Sequence, residues 1–195
     1  MQEHIKHYIN KLSSALQILP MKDIQILAEA LLDVWINNRC VYICGNGGSA
    51  GNAIHLANDF IYGAGIKNKM GLRVEALSAN PAVISCLAND LGYDNIYSEQ
   101  IKVKGNPKDI LLVLSGSGNS PNIINALRIG NKLKMKTFAI LGFNGGQSKN
   151  IAQFPIHSNV DDMQIAEDLQ LIIGHICMQW LNNQEISVNK ILIKD

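Results

Sequence analysis

Two short runs of small residues carry the first chemical signal in this chain. Gly45-Asn46-Gly47-Gly48-Ser49 ends the apolar run Cys40–Cys44 and leads into a helical pattern, Ala50–Phe60. Ser115-Gly116-Ser117-Gly118-Asn119-Ser120 likewise follows Ile110–Leu114 and leads to Pro121, which suits a first helical turn with Ser120 as N-cap. Glycine lets a ligand approach the backbone closely. The unbonded amides of a first helical turn, with the helix dipole, attract an anion. In the second run three hydroxyls (Ser115, Ser117, Ser120) add neutral donors, so a phosphate could be held there without Arg or Lys. No Gly-Lys-Ser/Thr follows the first run, so it is not a Walker A loop. Its glycines are followed by Ala50 and Gly51, which does not match the dinucleotide spacing either. A third loop, Gly142-Phe143-Asn144-Gly145-Gly146, reads as a structural turn that could border the same site.

Titratable residues supply the second signal. His55 and Asp59 are four apart and share one face of a helix. A neutral imidazole and a carboxylate at that spacing suit zinc, and equally suit a helix-stabilising pair at a subunit contact. His175 lies in the apolar stretch Leu171–Ile176, the usual setting of a core or interface histidine. On a helix Asp168 is closer to the face of His175 than Glu167 is.

The elements that must position these residues follow from periodicity. Ile5, Ile9, Leu12, Leu16 and Leu19 predict a helix up to Pro20, and Ile24, Leu27, Leu31, Val34 and Trp35 a second up to Asn37–Asn38. Short apolar runs at Cys40–Cys44, Arg73–Leu77, Asp109–Leu114, Thr137–Leu141 and Phe154–Ser158 alternate with helical segments. That alternation predicts an α/β fold with a parallel sheet covered on both faces. Both small-residue loops would then lie at the carboxyl ends of strands, where ligands bind. Met163–Leu181 is apolar on most sides and predicts a buried helix. One domain spans 1–195: an N-terminal helical extension (1–38), an α/β core (39–182) and a tail (183–195) with no assignment.

Composition narrows the function classes. Of 195 residues 47% are hydrophobic and 17% charged, with a formal net charge of +1, which suits a soluble chain with a substantial core. There is no dense basic run, and Lys132, Lys134 and Lys136 read as a solvated helix end, so no nucleic-acid partner is expected. No secretory signal or membrane-spanning stretch is seen, so no membrane partner is expected. Cys40, Cys44, Cys86 and Cys177 form no close metal-type pair and read as core thiols of a cytoplasmic protein.

Taken together the motifs resemble the sugar isomerase (SIS) domain proteins, and among them the phosphoheptose isomerases. The resemblance rests on the paired N-terminal helices, GNGGSAGNAIHLAND at Gly45–Asp59, LAND at Leu87–Asp90, LSGSGNSPN at Leu114–Asn122 and AEDLQLIIGHI at Ala166–Ile176. It implies a single SIS domain with a five-stranded parallel sheet, and a homotetramer with active sites at subunit interfaces. It implies interconversion of sedoheptulose 7-phosphate and D-glycero-D-manno-heptose 7-phosphate. Substrate contacts are implied for Asn46, Gly47, Gly48, Ser49, Asp59, Asn89, Asp90, Ser115, Gly116, Ser117, Ser120 and Glu167. Asp59 would be the base and His175 the acid of an enediol isomerisation, and His55, Asp59, Glu167 and His175 would hold zinc. Three positions depart from the usual pattern: Asp59 stands for Glu, Glu167 for Gln, and Gln170 for a frequent His. Losing a methylene at Asp59 shifts the base by about 1 Å, a displacement that can cost roughly a hundredfold in rate. A non-catalytic SIS module that binds a sugar phosphate or a protein is the alternative. Such relatives lack the terminal histidine that this chain retains as His175.

Overall fold

The computed structural model describes residues 1–186, so the end of the 183–195 tail (187–195) lies outside the described residues. Helices α1 (Gln2–Gln17) and α2 (Met21–Ile36) are separated at Pro20, as the periodicity predicts. Helix α1 is largely exposed, whereas α2 buries Ile24, Leu27, Leu31, Val34 and Trp35. Five parallel strands follow: β1 (Cys40–Gly45), β2 (Arg73–Ala76), β3 (Ile110–Ser115), β4 (Lys136–Leu141) and β5 (Phe154–His157). Their spatial order is β2-β1-β3-β4-β5.

Side chains alternate across a strand, and here each face has its own core. Val41, Ile43, Ile110, Leu112 and Leu114 pack with residues of α2, α3 (Gly48–Asn58) and α8 (Met163–Asn182). Tyr42, Cys44, Leu111 and Val113 pack on the other side with residues of α5 (Ser98–Lys104) and α6 (Pro121–Lys132). From β1 the chain turns to β2 through α3, and from β3 it turns the other way to β4 through α6. The sheet therefore changes direction between β1 and β3. A crevice opens at the carboxyl ends of these two strands, the preferred ligand position in an open parallel sheet.

Three local outcomes differ from expectation. The helix predicted over Ala50–Phe60 ends at Asn58 and continues as a π-turn, Asp59–Gly63, closed by Ala64 N–H to Asp59 O at 2.9 Å. Leu72 N–H donates to Phe60 O at 3.0 Å, which draws this widened turn toward the segment entering β2. Ser120 occupies the N-cap position of α6, but its side chain makes no capping bond. The Ile123 amide is taken by Asn122 Oδ1 at 2.9 Å instead, leaving the Ser120 hydroxyl uncommitted to the helix. Finally, Cys44 and Cys177 are core thiols as expected, while Cys40 is half-buried and Cys86 is exposed. Burial pushes the Cys177 thiol up to about 12. Cys86 escapes burial because α4 (Pro81–Leu91), despite its apolar sequence, buries none of its residues within the chain. No helix among the described residues is long and apolar enough to cross a membrane.

Helix α8 is buried along one face, as predicted, through Ile165, Leu169, Gln170, Ile173, Gly174, Cys177 and Leu181. Its N-cap is Asp162, which accepts from the amides of Gln164 (3.0 Å) and Ile165 (3.2 Å) and from Lys11 Nζ (2.7 Å). The Lys11 bond, then the helix amides, hold the Asp162 carboxyl below the usual carboxylate range. Asp162→Ala should lower the unfolding free energy by about 1 kcal/mol, and Asp162→Asn by less, because the amide still caps. A depressed folded value means that the charge contributes fully above the ordinary carboxylate pKa and is lost as pH falls through the folded one. Denaturant titrations of wild type and Asp162→Asn should therefore converge in acid.

Candidate active site

The two loops flank the crevice, with Gly45 of β1 paired to Leu114 of β3, so that the loops leave the sheet at one level. The first opens onto α3, whose N-cap Gly47 has φ +56° and offers no side-chain cap. Ala50 N–H donates to Gly47 O at 3.1 Å, so the amides of Gly48 and Ser49 are the ones left open to a ligand. Buried Tyr97 donates its hydroxyl to Gly45 O and steadies the start of this loop. Asn46 and Asn122 exchange side-chain amide bonds of 2.8 and 2.9 Å across the crevice, tying the first loop to the first turn of α6. Tyr93 adds its hydroxyl to Asn46 Oδ1 at 3.2 Å.

The second loop is shaped by its own hydroxyls. Gly118 N–H donates to Ser115 Oγ at 3.0 Å, and Asn119 N–H to Ser117 Oγ at 3.3 Å. Both serine oxygens thus act as acceptors inside the loop and keep their O–H donors for a ligand. The third loop buttresses it: Gly142 N–H bonds Gly116 O (3.0 Å), Ser148 N–H bonds Gly118 O (2.9 Å) and Gln147 N–H bonds Asn119 Oδ1 (3.0 Å). The expectation of a structural turn bordering the site describes its position well. Phe143 and Asn144 share with Ser117 and Asn119 the lining of a cleft of about 520 Å³.

Two turns into α3 the titratable residues meet. His55 and His175 approach Nε2 to Nε2 at 2.9 Å, and Asp59 Oδ2 lies 3.4 Å from His55 Nε2 and 3.3 Å from His175 Nε2. An Nε2···Nε2 hydrogen bond needs one ring protonated at that atom and one bare, so one lone pair is masked by its neighbour's proton. His55 and His175 side chains are 49% and 41% exposed and Asp59 only 16%, so the carboxylate forms the floor of the cluster. These three are the group of donors among the described residues that could hold a metal ion, all within 4.8 Å of one another. Zinc bound at about 2.0–2.2 Å in a tetrahedral set keeps its donors roughly 3.3 Å apart. The two carboxylate–imidazole separations match that figure, the 2.9 Å between the imidazoles is shorter, and two imidazoles with a carboxylate could hold a metal ion. The shortened carboxylate at Asp59 reaches both rings.

Glu167 does not join this cluster, which corrects the four-ligand set implied by resemblance. Eight residues along α8 separate it from His175, a rise of roughly 12 Å. Its carboxylate lies over the first loop, where a Cβ on Gly48 would meet Glu167 Oε1 at 2.5 Å. Asp168, nearer the face of His175 by spacing, is taken by Tyr8 Oη at 2.5 Å; that bond raises the Tyr8 hydroxyl to about 12. Ser49 is buried and accepts from Gln170 Nε2 at 3.0 Å, so its hydroxyl faces α8 rather than the crevice. Asn89 and Asp90 are exposed at the end of α4 and bond each other at 2.7 Å. They touch neither loop nor the histidines through hydrogen bonds. Asn122, Tyr93 and Asn52 do not stand out in the sequence as site residues, and Gln170 does so only as a departure from the pattern of the resemblance. Asn122 could have been singled out, because a buried amide at the second residue of a helix needs a partner.

Comparison with known proteins places this geometry. A family model described as the SIS domain matches residues 6–142. The phosphoheptose isomerase of Chlorobaculum parvum is 36% identical over 165 residues, covering 82% of this chain and 78% of that protein. That of Akkermansia muciniphila is 29% identical over 186 residues, covering 94% and 98%. The solved phosphoheptose isomerase of Neisseria gonorrhoeae superposes with a TM-score of 0.85 at 25% identity, covering 94% of this chain and 97% of that one.

Proposed function

Because this chain belongs to the SIS domain family, and within it to the phosphoheptose isomerases, we propose that it interconverts sedoheptulose 7-phosphate and D-glycero-D-manno-heptose 7-phosphate. The observation that carries this reading is the convergence of His55, Asp59 and His175 on the helix that begins at the first loop. His55 lies seven residues past Gly48, a rise of about 10 Å. That separation suits a ligand with a phosphate at one end and a reacting carbonyl at the other.

The substrate phosphate is held by the hydroxyls of Ser115, Ser117 and Ser120 and by the loop amide of Gly116. Asn46, Gly47 and Gly48 hold the sugar hydroxyls, and Glu167 accepts from them beside Gly48. The Asp59 carboxylate moves the carbon-bound proton between C1 and C2, and the His175 imidazole gives and recovers a proton at the oxygens. His55, Asp59 and His175 would hold a zinc ion. Zinc, when bound, polarises the carbonyl oxygen and lowers the cost of enediol charge.

The enzyme acts as a homotetramer with sites at subunit interfaces, where Asn89 and Asp90 on the half-exposed α4 reach the crevice. Exposed Ile54, Ile61, Tyr62 and Ile66 beside the cluster support self-association, as does an apolar cleft of about 440 Å³ bordered by Leu16, Met21, Ile176 and Trp180. The reaction takes place in the cytoplasm and supplies heptose for surface polysaccharide such as lipopolysaccharide. The retained His175, in register with Asp59, favours catalysis over a purely binding module.

The test is an isomerase assay on sedoheptulose 7-phosphate with added zinc and with chelator. Turnover that chelator removes and zinc restores is the expected result. Absence of turnover under every metal condition sinks the proposal.

A further inference from the structure

The candidate metal cluster is divided between two helices that are far apart in sequence. Helix α3 and its π-turn bring His55 and Asp59, and α8 brings His175. Its geometry therefore depends on how α8 is placed along and around α3. A slip of one residue would move His175 by about 1.5 Å, comparable to the tolerance of a metal–ligand bond set.

Two kinds of contact hold the pair. In the middle, Leu56 packs so closely on Gly174 that a Cβ there would come within 2.2 Å of Leu56 Cδ2. Apolar packing brings the helices together but is non-directional. Directional contacts between them, apart from the cluster, are three among the described residues, and two of the three are made by one buried amide. Gln170, 1% exposed, donates through Nε2 to Ser49 Oγ at 3.0 Å and accepts through Oε1 from Asn52 Nδ2 at 3.0 Å. Asn52 Nδ2 also reaches Glu167 O at 3.0 Å. A primary amide presents its donor and acceptor in one plane with fixed polarity. It can satisfy Ser49 and Asn52, three residues apart on α3, in a single register of the two helices.

We propose that Gln170 is a positioning residue: its buried amide locks α8 to α3 in the register that brings His175 to His55 and Asp59. It touches neither the ion nor the substrate and acts through Ser49 and Asn52. The inference rests on the metal-binding reading of that cluster.

The experiment is zinc affinity, measured by competition with a chromogenic chelator, for wild type, Gln170→Met and Ser49→Ala. Gln170→Met keeps side-chain length and apolar packing and removes both bonds. It should lose about 10–100-fold in zinc affinity, the range found for partners that orient metal ligands. Ser49→Ala removes one bond, keeps a small helix former and should lose less. Asn52→Ala should cost less in the Gln170→Met background than alone, since the Asn52–Gln170 bond is already gone there and only the bond to Glu167 O is left to remove. With sedoheptulose 7-phosphate, kcat of Gln170→Met should fall while KM changes little, because the serine loop leads into α6. Unchanged zinc affinity overturns the proposal. So does a loss that matches the unfolded fraction seen by circular dichroism, which would mark Gln170 as merely structural. A wild type that isomerises but takes up no zinc overturns this clamp and leaves the isomerase reading standing. A wild type that binds zinc without isomerising does the reverse.

Discussion

Asp59→Ala should abolish zinc uptake and lower kcat/KM by about a thousandfold, within the range that one general acid–base group contributes. The reason is that one oxygen, Oδ2, serves both histidines at 3.3 and 3.4 Å. Removing it takes away the charge that would neutralise a cation and the base that would receive the proton. Asp59→Asn keeps the shape and loses the charge, so it should fall nearly as far. The sharper result concerns Asp59→Glu, which restores the side chain usual in the resemblance. The π-turn that starts at Asp59 already brings its carboxylate to both rings. One more methylene drives the oxygen past them by about 1 Å, and activity should fall roughly a hundredfold rather than rise. Steady-state kinetics with zinc titration separates the two results. A Glu variant as active as wild type would show that the turn does not compensate for the short side chain.

Gly118→Ala should raise KM for the phosphorylated substrate by about a hundredfold while the protein stays folded. Gly118 has φ +67°, and a Cβ there would sit 2.1 Å from Gly145 O. The left-handed conformation alone costs about 1–2 kcal/mol for a residue with a side chain. The overlap is with backbone, which cannot rotate aside. The third loop must back away, and the bonds of Gly118 to Ser115 Oγ and Ser148 N–H go with it. Gly92→Ala, outside both loops, is the control: φ is +85°, yet nothing lies within 4 Å of its Cβ. It should show the strain without the clash and a far smaller change in KM. Equal effects of the two substitutions would mean that strain, not the buttress, governs the phosphate loop.

The strands, their parallel arrangement and both loops were legible in the chain because they are written in local patterns. Val41–Cys44 and Leu111–Leu114 are apolar throughout and feed the two cores alternately, a pattern that needs no knowledge of the partner strand. Pro121 after a serine loop announces a helix start wherever the helix goes. The pairing of His55 with Asp59 is likewise a property of four residues on one helix. Helix α4 differs, since its apolar residues suggest burial while it packs on the core only through the half-buried Ile84, Leu87 and Ala88 among the described residues, and Cys86 stays exposed.

What local pattern could not supply is the meeting of groups far apart in sequence. His175 reaches His55 across 120 residues because Gly174 admits Leu56 and Gln170 pins the helices. The resemblance implies Glu167 as a metal ligand, yet eight residues of α8 carry it away from His175 and onto Gly48. The resemblance implies Ser49 as a substrate contact, and the packing of α8 turns its hydroxyl inward. The two small-residue loops were therefore set by residue type and short-range spacing. The cluster of His55, Asp59 and His175 had to await the packing of α8 on α3, because side-chain direction at a helix contact depends on the rotation and register of both helices.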